Sequence, residues 1–191
     1  MGDILRVIAG SAKGHGLKTI KGDMTRPTSD KVKGAVYNII AAYVEGSTVL
    51  DLFAGTGSMG IEALSRGAAS AVFFDRSLQC FKVIKENLEH TRLTEKALVF
   101  NMDFAAGINK MYLEGQKFDI IIMDPPYNKN FIQEALKLVA INDIIVSNGI
   151  IIAEHSPMDK LPESCGRLKV IDTRKYGDTM ITIYKDGNSG Q

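Results

Sequence analysis

Asp124, Pro125, Pro126 and Tyr127 follow directly on the apolar run Phe-Asp-Ile-Ile-Ile-Met at 118–123, and the four together could hold a planar amine. A run this apolar predicts a strand covered on both faces, the kind found in parallel sheets, whose ligands gather beyond the carboxyl ends of the strands. The prolines stop the strand there. Neither has an N–H to donate and each has its φ fixed, so nearby carbonyl oxygens and the Asp124 carboxylate can face a ligand as acceptors. Tyr127 adds an aromatic face. Acceptors beside a stacking ring suit a nucleobase amino group, which carries two N–H donors on a flat π-system. Alone, the tetrapeptide is equally the sequence of a strand-ending turn.

A second string changes that balance: Val-Leu-Asp-Leu-Phe-Ala-Gly-Thr-Gly-Ser-Met-Gly at 49–60. Asp51 lies inside a short apolar strand that ends at Phe53; Ala54, Gly55, Thr56 and Gly57 form the turn that follows, and Ser58 and Gly60 open a helix. Such glycines permit a tight turn and close backbone approach, and the helix aims its first N–H groups at a ligand. Asp75, followed by Arg76, closes the next apolar run twenty positions beyond Gly55, where a carboxylate would accept hydrogen bonds from ribose hydroxyls. A dinucleotide enzyme fits these features equally well. Three details favour S-adenosylmethionine. Asp51 is a carboxylate where a dinucleotide fold carries only apolar residues, and it needs loop N–H groups or the ammonium of an amino-acid ligand as partners. Asp103 and Phe104 end a third run at the same sheet edge, placed to meet an adenine amino group and ring. The Asp124–Tyr127 string has no use in hydride transfer.

The elements needed to position these residues are those of an α/β protein. Strands are expected to end at Phe53, Asp75, Asp103, Asp124 and Glu154, separated by helices near 58–66, 77–90, 104–114 and 130–140, so that every acidic site falls on one edge. Thr28 can cap an earlier helix, whose apolar positions Val32, Ala35, Val36, Ile39, Ile40, Tyr43 and Val44 follow a three-four repeat. The last two runs, 168–171 and 179–184, are joined by a link too short for a crossover helix, which predicts a hairpin and an antiparallel last strand. The count is seven strands, mostly parallel.

At this point the chain resembles a known family, the bacterial 16S ribosomal RNA guanine-N2 methyltransferases of the class I, Rossmann-like fold. The likeness runs over nearly the whole chain. Arg6-Val-Ile-Ala-Gly10 with Lys13-Gly14 resembles the family's N-terminal β-hairpin, and Arg26-Pro-Thr28-Ser-Asp-Lys31-Val-Lys33 with Tyr37-Asn38 resembles its arginine-proline-threonine signature. Tyr176–Tyr184 is similar to its closing strand. Where the family continues the signature with arginines and a glutamate, this chain has Lys31, Lys33 and Gly34, point charges in place of planar forks. The resemblance implies methylation of a guanine N2 amine in 16S rRNA, within the small ribosomal subunit or an assembly intermediate, with S-adenosylmethionine as methyl donor. It implies one methyltransferase domain over 1–191, with 1–24 as a hairpin extension that contacts RNA and Arg6, Lys13, Arg26, Thr28, Lys31 and Lys33 as substrate-facing residues. Similar Asp-Pro-Pro-Tyr strings occur in adenine-N6 and cytosine-N4 methyltransferases of DNA, and a noncatalytic RNA-binding module could retain the fold, so both alternatives stay open.

Composition sets outer bounds. The 191 residues, 45% hydrophobic, suffice for one core, and the formal net charge of +1 argues against strong nonspecific nucleic-acid binding. The charge is uneven, with seven cations against three carboxylates over residues 1–33. No long apolar segment suggests export or a membrane span, so a cytoplasmic protein is expected; the sequence leaves the oligomeric state open, with a monomer as the expectation. Two cysteines and three histidines show no metal-ligand spacing, and no metal is expected. His155, at the end of the run 151–154, reads as a satisfied core or rim histidine rather than a catalytic one.

Overall fold

Alternation of apolar strands with amphipathic helices yields a single mixed sheet. The structure is a computed structural model, and it describes residues 5–20, 30–127 and 130–187. In chain order the elements are α1 (Asp30–Ile39), α2 (Ala41–Val44), β1 (Thr48–Asp51), α3 (Ser58–Ser65), β2 (Ser70–Asp75), α4 (Leu78–Thr91), β3 (Ala97–Asn101), α5 (Phe104–Leu113), β4 (Phe118–Met123), α6 (Phe131–Asn142), β5 (Ile145–His155), β6 (Ser164–Cys165), β7 (Leu168–Tyr176) and β8 (Thr179–Asp186). The strands lie in the order β3-β2-β1-β4-β5-β8-β7-β6. Neighbours from β3 to β5 are parallel, and β8 enters antiparallel between β5 and β7.

Period-two alternation sends the two faces of the central strands into separate cores. Val49, Ile120, Ile122, Ile150 and Ile152 pack on one side with α1, α3 and α4. Leu50, Ile121, Met123, Ile151 and Ala153 pack on the other with α5 and α6. Continuous apolar runs are thus the signature of strands buried on both faces.

Two expectations are corrected. Among the described residues the sheet has eight strands rather than seven, because Ser164 and Cys165 pair with Lys169 and Leu168 at its edge. A two-residue strand has no hydrophobic run to betray it. The first helix is broken: α1 stops at Ile39, and Ile40, at φ −95° and ψ 11°, precedes the separate turn of α2. Tyr43 N–H bonds Ile40 O at 2.8 Å, an i→i−3 turn that interrupts the i→i−4 ladder there. The proposed cap Thr28 lies outside the described residues.

The N-terminal segment is fastened to the domain. Arg6 and Gly16 form an antiparallel bridge, flanked by Val7 N–H to His15 O (2.9 Å) and Leu17 N–H to Leu5 O (2.7 Å). Leu5, Val7 and Leu17 are buried, each contributing roughly 1.5–3 kcal/mol. The Glu62 carboxylate of α3 accepts the N–H groups of Ile8 (2.8 Å) and Ala9 (3.1 Å), and Ser65 Oγ accepts that of Ala12 (3.0 Å). Gly10, at φ +83°, permits this docking, since a Cβ there would lie 1.7 Å from Ser65 O.

Candidate active site

In an open α/β sheet the ligand crevice forms where connections leave in opposite directions from two neighbouring strands. Here those strands are β1 and β4, with Asp51 in register with Ile122. The glycine loop after β1 and the Asp124 turn after β4 therefore leave the sheet side by side.

Asp51 is 2% exposed, and its carboxylate accepts the N–H of Gly60 at 3.2 Å, tying strand β1 to the first turn of α3. Burial pushes its carboxyl up to about 7; the Gly60 N–H opposes the rise and the Asp75 charge adds to it. Gly55 and Gly57 have φ of +54° and +79°, which L side chains resist. Gly60 serves a different need, because a Cβ there would lie 2.3 Å from the Phe73 ring. Ala54 donates its N–H to Phe74 O (3.0 Å), Ser58 begins α3, and Thr56 O accepts Asn87 Nδ2 at 2.9 Å. Asp75 uses both oxygens, accepting Gly55 N–H and Ser77 N–H at 2.8 Å each, so it clasps the loop as well as ending its strand. Arg76 beside it is exposed.

Strand β3 ends at Asn101 instead of Asp103. Asp103 is the N-cap of α5, its Oδ1 accepting the N–H groups of Ala105 (2.9 Å) and Ala106 (3.0 Å). Phe104 is buried in an aromatic cluster, its ring centroid 4.9 Å from Phe53 and 5.7 Å from Phe131. A cofactor placed over these residues would meet loop N–H groups, carboxylates and the rim of an aromatic cluster, donors and acceptors that suit an adenosine bearing an amino acid.

Beyond β4, Asp124 is half-buried, Pro125 buried and Pro126 half-buried, while Tyr127 is 38% exposed. Pro125, Pro126 and Tyr127 border an open cleft with Phe131 of α6 and Lys160–Leu161. The Tyr127 hydroxyl reaches Glu154 Oε1 and Thr179 Oγ1, both at 3.2 Å. Neither partner is among the site residues expected from sequence. A signal for Glu154 exists all the same, for it continues the apolar run of β5 at the edge where Asp51 and Asp124 sit. His155 is buried, with Nδ1 2.9 Å from Ser156 O and Nε2 2.9 Å from Thr182 Oγ1. Burial lowers its pKa, and both ring nitrogens have protein partners.

The N-terminal cations divide. Arg6, Lys13 and Lys31 are exposed and line one open cleft together with Asp30, which pairs with Arg6 Nε at 3.0 Å. Lys33 is a correction: it is fully buried, donating to Arg6 O at 2.7 Å between Glu62 (3.9 Å) and Asp30 (3.8 Å). It lies beneath the N-terminal segment near Glu62, which Arg66 Nε pairs more closely at 2.7 Å, and it is buried instead of facing a phosphate. Arg26, like Thr28, lies outside the described residues. Among the described residues, no helix is long and apolar enough to cross a membrane.

A parallel sheet reversed at β1/β4, a glycine loop at that point and a last strand inserted antiparallel beside β5 define the architecture of a class I methyltransferase. Residues 5–185 match the family described as conserved hypothetical protein 95, and the chain belongs to that family. It is 40% identical to "Putative rRNA methyltransferase YlbH" of Bacillus subtilis, over 95% of this chain and 98% of that one. It is 34% identical to "Ribosomal RNA small subunit methyltransferase D" of Haemophilus influenzae, over 78% of each. The solved structure of "Putative methyltransferase yhhF" of Escherichia coli shares the fold, with a TM-score of 0.83 at 24% identity over 96% of this chain and 98% of that one.

Proposed function

We propose that this protein methylates the exocyclic N2 amine of a guanine in 16S rRNA, with S-adenosylmethionine as the methyl donor. The observation that carries the reading is the adjacency of the Asp51–Gly60 loop and the Asp124–Tyr127 turn at the ends of neighbouring strands β1 and β4. The names of the relatives support ribosomal RNA as the substrate. The exposed cations Arg6, Lys13 and Lys31 give the same domain a face for its phosphates.

When bound, S-adenosylmethionine supplies a methyl group on a sulfonium, whose C–S bond breaks as the N–C bond forms. The chain's own residues make the amine able to attack. The lone pair of an aryl amine is delocalised into its ring, so the nitrogen must pyramidalise, and acceptors on its two hydrogens favour that change. The Asp124 carboxylate and the Pro125 carbonyl provide them. A free aspartate, with a pKa of about 3.9, is too weak a base to deprotonate the neutral amine. Asp124 therefore orients the amine and accepts its proton once methylation has made it cationic. Positioning supplies most of the acceleration, on the order of 7–11 kcal/mol for well-oriented reactants, and a turn anchored to a buried strand holds that geometry.

The test is transfer of tritium from methyl-labelled S-adenosylmethionine to unmodified small subunits, free 16S RNA and duplex DNA, followed by nucleoside mass spectrometry. N2-methylguanosine in the RNA is expected. Label confined to DNA, or cofactor binding with no transfer to any substrate, would reject the reading.

A further inference from the structure

Tyr127 is held at its far end. A side chain projecting from a turn can rotate about two bonds, and a ring that must present its face to a base has to keep its plane within about 10–20°. The hydroxyl is the atom farthest from the backbone, so a tether there gives the best control of that plane. In this structure the hydroxyl donates to Glu154 Oε1 and lies within hydrogen-bonding distance of Thr179 Oγ1, both at 3.2 Å.

The tether is rigid. Glu154 is 5% exposed near the end of β5, a strand held between β4 and β8, where it pairs with Ile181. Because Met123 is in register with Ala153, Glu154 stands beside Asp124 at the mouth of the sheet. Thr179 opens β8. Three consecutive neighbours in the sheet thus meet at one hydroxyl. A carboxylate is the stronger kind of acceptor, and burial pushes the Tyr127 hydroxyl up to about 12, which keeps it a donor at neutral pH.

We propose that Glu154 is a positioning residue for methyl transfer: by accepting the Tyr127 hydroxyl, with Thr179 bracing it from β8, it fixes the ring plane against which the target base lies. This rests on the reading of the Asp124–Tyr127 turn as the amine site. Glu154, 5% exposed, acts in this proposal through the Tyr127 hydroxyl.

The experiment measures kcat and KM for methylation of unmodified small subunits, and cofactor affinity by calorimetry, in wild type, Tyr127→Phe, Glu154→Gln, Glu154→Leu and the double variant Tyr127→Phe/Glu154→Leu. Phenylalanine keeps the stacking face and removes the tether, and a misplaced reactant costs about 100-fold. Tyr127→Phe is therefore expected to lower kcat by roughly 10- to 100-fold, with cofactor affinity unchanged. Glu154→Leu should match it, the double variant should be no worse than either single variant, and Glu154→Gln, which keeps an acceptor oxygen, should recover most of the rate. Wild-type kcat in Tyr127→Phe, multiplying losses in the double variant, or a Gln variant as impaired as Leu would each overturn the proposal. If Glu154→Leu does not fold, Tyr127→Phe and Glu154→Gln still decide. No methylation by wild type would instead sink the functional reading, and the proposal with it; an active wild type with an unimpaired Tyr127→Phe sinks the proposal alone.

Discussion

The side-chain amide of Asn87 pairs with both backbone groups of Lys18: Oδ1 accepts its N–H at 2.7 Å, and Nδ2 donates to its carbonyl at 3.2 Å. The same Nδ2 donates to Thr56 O in the glycine loop. One buried side chain on α4 therefore joins the N-terminal segment to the loop read as the cofactor site. Asn87→Ala strands these groups, at about 1–3 kcal/mol for each that stays buried. It should lower the melting temperature by several degrees and weaken S-adenosylmethionine binding, as read by thermal denaturation and calorimetry.

Asp124→Asn keeps the shape of the turn and removes the carboxylate proposed to accept the amine's proton. Methyl transfer should fall about 100- to 10,000-fold, the usual span for a lost acid-base group. Cofactor affinity should hold within about twofold, since the Asp51–Gly60 loop is untouched. Equal loss of both would show that the substitution disturbs the sheet edge instead.

Asp51 gives stability a pH dependence. Its carboxyl sits near 3.8 ordinarily and is pushed up to about 7 by burial in the folded chain. A raised pKa means a contribution fully present below about 4 and lost as pH climbs through 7, a swing of roughly 4 kcal/mol at most. Asp51→Asn, which keeps an acceptor for the Gly60 N–H, should gain on wild type steadily over that window. Urea midpoints taken at intervals from pH 4.5 to 8 would reveal it, and a constant difference would count against it.

Lys33 and Lys31 should respond in opposite ways. Lys33→Met removes the bond to Arg6 O and the longer of two ion pairs to Glu62, which keeps Arg66 at 2.7 Å, and should cost about 1–3 kcal/mol of stability. Lys31→Gln should change stability by less than about 0.5 kcal/mol. Its effect should appear in RNA binding, where the slope of log affinity against log salt shrinks by about 0.7–0.9 if Lys31 meets a phosphate.

Gly60→Ala tests the packing of the loop against β2. The added Cβ, 2.3 Å from the Phe73 ring, forces a rigid buried aromatic to move. The expected penalty is about 1–3 kcal/mol, read as a lower urea midpoint together with weaker cofactor binding.

Much of this geometry is legible in the order of the residues. Apolar runs ending in Asp or Glu place the strand ends at 75, 124 and 154 within a residue, because β strands buried on both faces leave continuous apolar signals. The glycine loop and the closing hairpin are readable for similarly local reasons. Lys33 misleads, because a lysine in a basic stretch suggests solvent, yet Lys33 lies one turn before Tyr37 on α1, on a face that is buried. Its partner Glu62 cannot be found from sequence, since what buries it is the N-terminal segment, more than fifty positions away. Tyr127 is recognisable as a ring, but what its hydroxyl meets depends on β8 lying beside β5, a tertiary fact.

The insertion of β8 between β5 and β7 has a consequence for assembly. Thr179, which braces Tyr127, belongs to a strand synthesised after all the others described here, and β5 has an open edge until that strand arrives. In a nascent chain the Asp51–Gly60 loop can therefore form early, while the contact between Tyr127 and Thr179 is complete only once residues 179–186 have emerged from the ribosome.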